Sequence, residues 1–334
     1  MENTAEIRLT STETSHLWSG YLFESLVHHM CICFVNHIQD DDIKEFYEIC
    51  LTISKDHVNG ITSILKQENF PIPRGITSED INPNVPRLFS DVYMLNYVKN
   101  MAKFALTIIV IAYGESSRDD VRKLLKKHLD DLEMVDQKAT ELLLAKGIYS
   151  YPPFIPVPKQ VDFVKKQNFL TGFFGNKRPL SAIEIRQLFH TALQNALGKA
   201  MLMGFSQVAK SKDIRNYFEK GKEISNKFYK EVTDVLNDED ISIPSTFDGE
   251  VFDTTEPPFS DRLMLLHVLI LGSYGIGNYG MGLGTIHRRD LAALFARMMA
   301  ESSLYSEDGA NIMIENGWLE QPPLAPNREA LANI

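Results

Sequence analysis

Nine histidines, 44 acidic residues and three cysteines give this chain one chemistry that side chains at helical spacing could share, which is metal ligation. A bundle of four helices holds a pair of metals through one Glu from each of two helices and a Glu-x-x-His from each of the other two, all directed inward. The sequence contains one Glu-x-x-His, Glu13 to His16, and its Glu13 stands three residues after Thr10 in the pattern of a helix-capping box. The alternative to a structural role is a looser, degenerate site in the second half, that of a metal-handling or di-metal oxidase-type protein. Counting rise along the helices brings Glu219 or Glu223, His267, and Glu301 or Tyr305 to about one height there. The same level of the first half holds His28, Glu48, Tyr97 and Asp131. Iron or manganese would suit such ligands, but a buried histidine bonded to a carboxylate or tyrosine satisfies both groups without a metal. On that ground no cofactor is expected.

Other groupings carry less. GIGNYG, Gly275 to Gly280, matches a dinucleotide fingerprint in letters, but it falls within a helical run where that motif requires a strand before it and a helix after it. Cys31 and Cys33, near His28, His29 and His37, sit on one helix, where residues two apart point in different directions. No Ser/His/Asp or Cys/His nucleophile arrangement can be inferred, so enzymatic activity is not expected. KLLKKHLDD, Lys123 to Asp131, reads as a solvated helix face.

The elements that would position these residues occur twice. Phe89 to Pro153 laid over Phe259 to Pro323 at an offset of 170 gives 13 identities in 65 positions, among them Phe89/Phe259, Arg118/Arg288 and Gly147/Gly317. Thr10 to Pro73 over Ser181 to Pro244 at an offset of 171 gives 16 in 64, including Glu13/Glu184 and Phe34/Phe205. Two long copies make a duplicated domain, not a solenoid.

Each copy reads as four long helices. Ile214, Phe218, Gly221, Ser225, Phe228 and Val232 alternate by four and three along one seam. Thr10 with Glu13 and Ser181 with Glu184 mark helix starts, and Gly147 and Gly317, followed by proline pairs, mark the last helix ends. Helices one and two are joined tightly near Gln39 to Asp42 and Lys210 to Asp213, so they must be antiparallel. Asn69 to Leu88 and Asn237 to Pro258 are long enough to span about 60 Å, more than the roughly 40 Å of a 26-residue helix. One such crossover makes helices two and three parallel, the ferritin-like arrangement. The predicted class is therefore all-α, with one bundle over residues 1–151, a Pro- and Phe-rich linker over 152–180 expected to pack against both bundles, and a second bundle over 181–334.

The chain resembles a family of tandem ferritin-like proteins of spore-forming bacilli, a domain of unknown function related to spore coat proteins. FPIPRGITSEDIN and PRLFSD in the first copy carry the resemblance, as do NKRPLSAIE, GFSQVAK, PPFSDRLMLLH, HRRDL and EDGANIMIENGWLEQPP in the second. It implies the fold and a structural or protein-interaction role, possible association with the spore, and no activity assignable to particular residues.

Composition limits the partners. A formal charge of −10 at pH 7 argues against nucleic acid. The apolar runs Phe104 to Tyr113 and Leu263 to Leu271 are about half the roughly 20 residues that span a bilayer, so membrane insertion is not expected. Three cysteines in one half suit a reducing interior and a cytoplasmic location. Protein partners or self-association are the remaining expectation.

Overall fold

A computed structural model describes residues 7–174 and 177–332. Among them no strand forms, and eight long helices account for the fold: α1 Ser11–His37, α2 Asp41–Gln67, α3 Asp91–Glu115, α4 Asp119–Ala145, α5 Ala182–Val208, α6 Lys212–Asn237, α7 Asp261–Thr285 and α8 Arg289–Glu315. A short helix, α9 Arg328–Ala332, follows.

The starts and stops are those the sequence predicts. Thr10 and Ser181 each close a capping box with Glu13 and Glu184. Ser90 and Ser260 accept bonds from the backbone N–H of Tyr93 and Leu263. Gly147 and Gly317 adopt φ of 69° and 67°, left-handed values open to glycine at no steric cost.

Glu13 and Glu184 also tie distant turns together. Glu13 is fully buried, and its Oε1 accepts from the backbone N–H of Ser117 and Arg118 at 2.9 Å each, fastening the α3–α4 turn to the start of α1. Glu184 accepts from Arg288 N at 3.1 Å and from the Arg178 guanidinium at 2.7 and 2.8 Å. Burial raises both carboxyl pKa values, yet the hydrogen bonds to the ionised forms outweigh it and bring each down to about 2.

Contacts along the helices fix their directions. Asp42 and Lys146 meet at one end of α2 and α4, and His57 and Asp131 meet near the middle. These two helices are therefore antiparallel. Since tight turns make α1–α2 and α3–α4 antiparallel hairpins, α2 and α3 run parallel, joined by a long crossover. Lys220–Asp308 and Arg297–Glu231 set α6 and α8 in the same way.

The two halves meet about a pseudo-twofold axis, and the contacts between their crossovers come in mirrored pairs. The crossovers pair through two antiparallel bridges, Ile81 with Phe259 and Phe89 with Val251. Asn82 N donates to Pro258 O at 2.8 Å, and Phe252 N to Leu88 O at 3.0 Å. Phe34 packs edge-on to Phe259 with centroids 6.1 Å apart, as Phe205 does to Phe89 at 6.3 Å. A single hydrophobic core runs through both halves across this plane. The arrangement has the isologous symmetry of a homodimer whose subunits share one chain.

One expectation needs correction. Most of the linker does not pack: Phe154, Val157, Phe163 and Phe174 are 92%, 91%, 82% and 87% exposed. Pro152, Pro153, Pro156 and Pro158 remove backbone donors and fix φ, so this segment cannot form a helix with an apolar face to bury. Its later part docks on the second half, where Phe169 lies 6.2 Å from the His287 ring and Arg178 reaches Glu184 at 2.7 Å. In addition, α3 and α7 as complete helices are long and apolar enough to cross a membrane by length and composition, which the shorter runs did not reveal. Here they lie together between the halves, with Phe104 and Tyr274 centroids 4.6 Å apart.

Candidate metal centre in the first half

The residues predicted to share a height in the second half do not converge on a site. His267 is fully buried and its Nε2 lies 3.1 Å from the hydroxyl of Tyr97, its own counterpart across the pseudo-twofold axis. That bond engages one ring nitrogen, the buried Nδ1 has no partner among the described residues, and burial lowers the ring's pKa to about 3. Glu301 is held by Lys227 at 2.8 Å and Arg297 at 2.8 Å. Glu219 pairs with Lys222, and Glu223 is exposed. Tyr305 stacks on Tyr217 with centroids 4.2 Å apart and donates to the Tyr217 carbonyl at 3.1 Å.

The remaining motifs are also absorbed by the fold. GIGNYG lies inside α7. Cys33 Sγ approaches the Pro258 carbonyl at 3.6 Å, His28 Nδ1 the Ser54 hydroxyl at 3.3 Å and His37 Nε2 the Val85 carbonyl at 2.9 Å. All three cysteines are buried free thiols, and burial pushes Cys33 and Cys50 up to about 12.

The first half assembles a different group. Glu24 from the middle of α1, His57 from α2 and His128 from α4 each present a ligand atom, and the three atoms lie within 4.8 Å of one another. All three residues are buried, at 5%, 1% and 2% exposure. His57 Nδ1 meets Glu24 Oε1 at 3.0 Å, and its Nε2 meets Asp131 Oδ2 at 3.1 Å. Lys127 reaches the same Asp131 oxygen at 2.6 Å. The His128 ring stacks on His57 with centroids 3.7 Å apart.

Environment separates the two imidazoles. Burial opposes a charge on His57, but Glu24 and Asp131 outweigh it and raise its pKa. Burial, then the neighbouring His57 and Lys127, lower His128 to about 2, so this ring is neutral at pH 7. Its buried Nε2 has no hydrogen-bond partner among the described residues, an unpaired lone pair or N–H in a place where nearly all polar atoms are satisfied.

His128-x-x-Asp131 puts an imidazole and a carboxylate on one face of α4, the spacing of Glu-x-x-His in reverse order. A search for the forward motif misses it, and KLLKKHLDD read as a solvated face conceals a buried His128 among exposed Lys123, Lys126 and Asp130. The duplication offers the missing signal. At the corresponding positions of the second half stand Asn195 for Glu24, Phe228 for His57 and Met298 for His128. One copy has polar ligands where the other has a neutral amide and two apolar side chains.

The molecule is thus an all-helical protein of two repeated domains with a buried His/carboxylate centre in the first. It belongs to the family described as "Protein of unknown function (DUF3231)", whose profile matches residues 2–161 and again 168–331. Among solved structures, one from Bacillus halodurans described as "a putative spore coat protein" is similar over 48% of this chain and 100% of its own, with 19% identity and a TM-score of 0.40. No curated protein matches the chain.

Proposed function

We propose that this protein is a metal-binding helical bundle of ferritin-like topology, with one transition-metal site in its first half held by Glu24, His57 and His128. The observation that carries the reading is the convergence of three ligand atoms from three helices, within 4.8 Å, around a buried and unpartnered His128 Nε2. The single long crossover in each half supports the topology. Two imidazoles with carboxylates make a donor set suited to iron, manganese or zinc.

In the arrangement described, His57 is held by both ring nitrogens, and it must release a proton before either can ligate. Asp131 would then be free to serve as a further ligand or to orient His57 by a hydrogen bond. A bound ion would supply Lewis acidity, or redox chemistry if it is iron or manganese. Apolar neighbours Phe23, Ile61 and Leu125 limit water around the ligands. The buried free thiols support a reducing, cytoplasmic setting.

Elemental analysis of protein purified without a histidine tag tests this reading. About one equivalent of a transition metal per chain is expected, falling to background in His57→Ala and in His128→Ala while His267→Ala keeps it. A metal-free wild type after growth in iron, manganese and zinc would refute it.

A protein-binding role is the second reading, favoured by the extended linker that exposes Phe154, Val157, Phe163 and Phe174.

A further inference from the structure

The first half contains an apolar cavity of about 260 Å³ between α1, α3 and α4, closed on one side by α7. Leu17, Phe23, Ile61, Phe104 and Leu125 form its walls. Glu24 and His128 also line it, and His128 Nε2 has no hydrogen-bond partner among the described residues, beside walls that are mostly apolar. The lining reaches the surface at Ser19 and Ile108, both exposed, which gives a guest a way in. A dry apolar cavity of about 150 Å³ is already enough to bind benzene.

The second half shows what a filled version looks like. At the positions of Ile109, Ala112 and Leu125 it has Tyr279, Gly282 and Phe295. A Cβ on Gly282 would fall 2.8 Å from the Phe295 ring, so the glycine makes the room that the larger ring takes up. Tyr279 packs with its ring centroid 6.3 Å from that of Phe295. His16 is replaced by a buried Gln187, whose Nε2 donates to Asn278 O at 2.9 Å.

We propose that the cavity of the first half binds a small neutral molecule with an apolar body and a single hydroxyl, such as an alkylphenol, whose hydroxyl bonds to His128 Nε2. The apolar walls select the body. Glu24 lines the cavity beside His128 and is already paired with His57, so an anionic head would meet a carboxylate and find no free cation. A hydroxyl both donates and accepts, and so it satisfies either tautomer of the ring. This inference does not rest on the metal site, and it is tested on the full chain after chelator treatment.

Titration calorimetry with 4-ethylphenol, ethylbenzene and 4-ethylbenzoate separates the possibilities. The first should bind at one site, and the other two at least about tenfold more weakly. Ala112→Gly with Leu125→Phe, copying the second half, should lose 4-ethylphenol by more than about tenfold while keeping helicity. His128→Met, the residue found at the matching position, should erase the preference for 4-ethylphenol over ethylbenzene. No saturable binding of 4-ethylphenol, tightest binding of the benzoate, or unchanged affinity in both variants would overturn the proposal. A wild type that is metal-free as purified, with phenol binding intact, would refute only the metal reading.

Discussion

Glu13→Ala combined with Glu184→Ala is expected to leave the protein largely unfolded at 25 °C. Glu13 satisfies the backbone N–H groups of Thr10, Ser117 and Arg118, and Glu184 those of Ser181 and Arg288 together with the Arg178 guanidinium. Removing either carboxylate strands buried donors and uncaps a helix, at a cost of about 3–5 kcal/mol. Two such losses approach the whole stability of an ordinary domain, about 5–15 kcal/mol. Acid should reproduce the effect in the wild type. Both carboxyls fall from 4.5 to about 2 on folding, so their contribution is fully present above pH 4.5 and is lost as pH drops toward 2. Urea denaturation between pH 2 and 7 measures it. A flat profile below pH 4.5, or a double variant as stable as wild type, would contradict this role.

Glu24→Ala should be as costly as the loss of a helix-tying carboxylate, and on the proposed metal reading it should remove the metal as well. The metal-free protein buries a His57 imidazolium between Glu24 and Asp131. Without Glu24 the ring must lose its charge or remain buried with one partner, a loss of about 3–5 kcal/mol. The second half provides the control. Asn195 at the matching position donates to the Tyr279 hydroxyl at 3.1 Å, a neutral pair, so Asn195→Ala should cost about 1–2 kcal/mol. Denaturant midpoints of the two variants with chelator present give the comparison. Equal losses would mean that Glu24 neutralises no buried charge.

Much of the architecture was legible because it is local or repeated. Thr10 with Glu13, Ser181 with Glu184, and the glycines at 147 and 317 declare helix ends by the backbone groups they satisfy. The crossovers were legible by length, since a tight turn cannot join parallel helices. The pseudo-twofold packing was not legible. It depends on which faces of α1, α3, α5 and α7 meet, and Phe34, Phe89, Phe205 and Phe259 look like any other core residues in sequence. The linker misled because apolar composition records what a segment could bury, not whether a surface is left to bury it against.

The site was hidden for a geometric reason. Rise along a helix fixes height but not azimuth, so His267 and Glu301 share a level while one faces Tyr97 of the other half and the other faces Lys227 and Arg297 near the surface. Asp131 was placed at the right height, but its partners Glu24, His57 and His128 emerge only when helix faces are known. Comparing the copies position by position narrows the search. Positions where one half has a titratable group and the other an apolar one mark where the halves diverged in chemistry while keeping a shared fold.

The proposed metal centre lies in the first copy of a duplicated bundle, and the second copy has Asn195, Phe228 and Met298 at the matching positions. Anomalous diffraction recorded at the absorption edges of iron, manganese and zinc tests this most directly. One peak within ligand distance of Glu24, His57 and His128, and none beside Asn195, Phe228 and Met298, is the result expected. A peak beside His267 and Glu301, or none in crystals grown with each metal in excess, would contradict it.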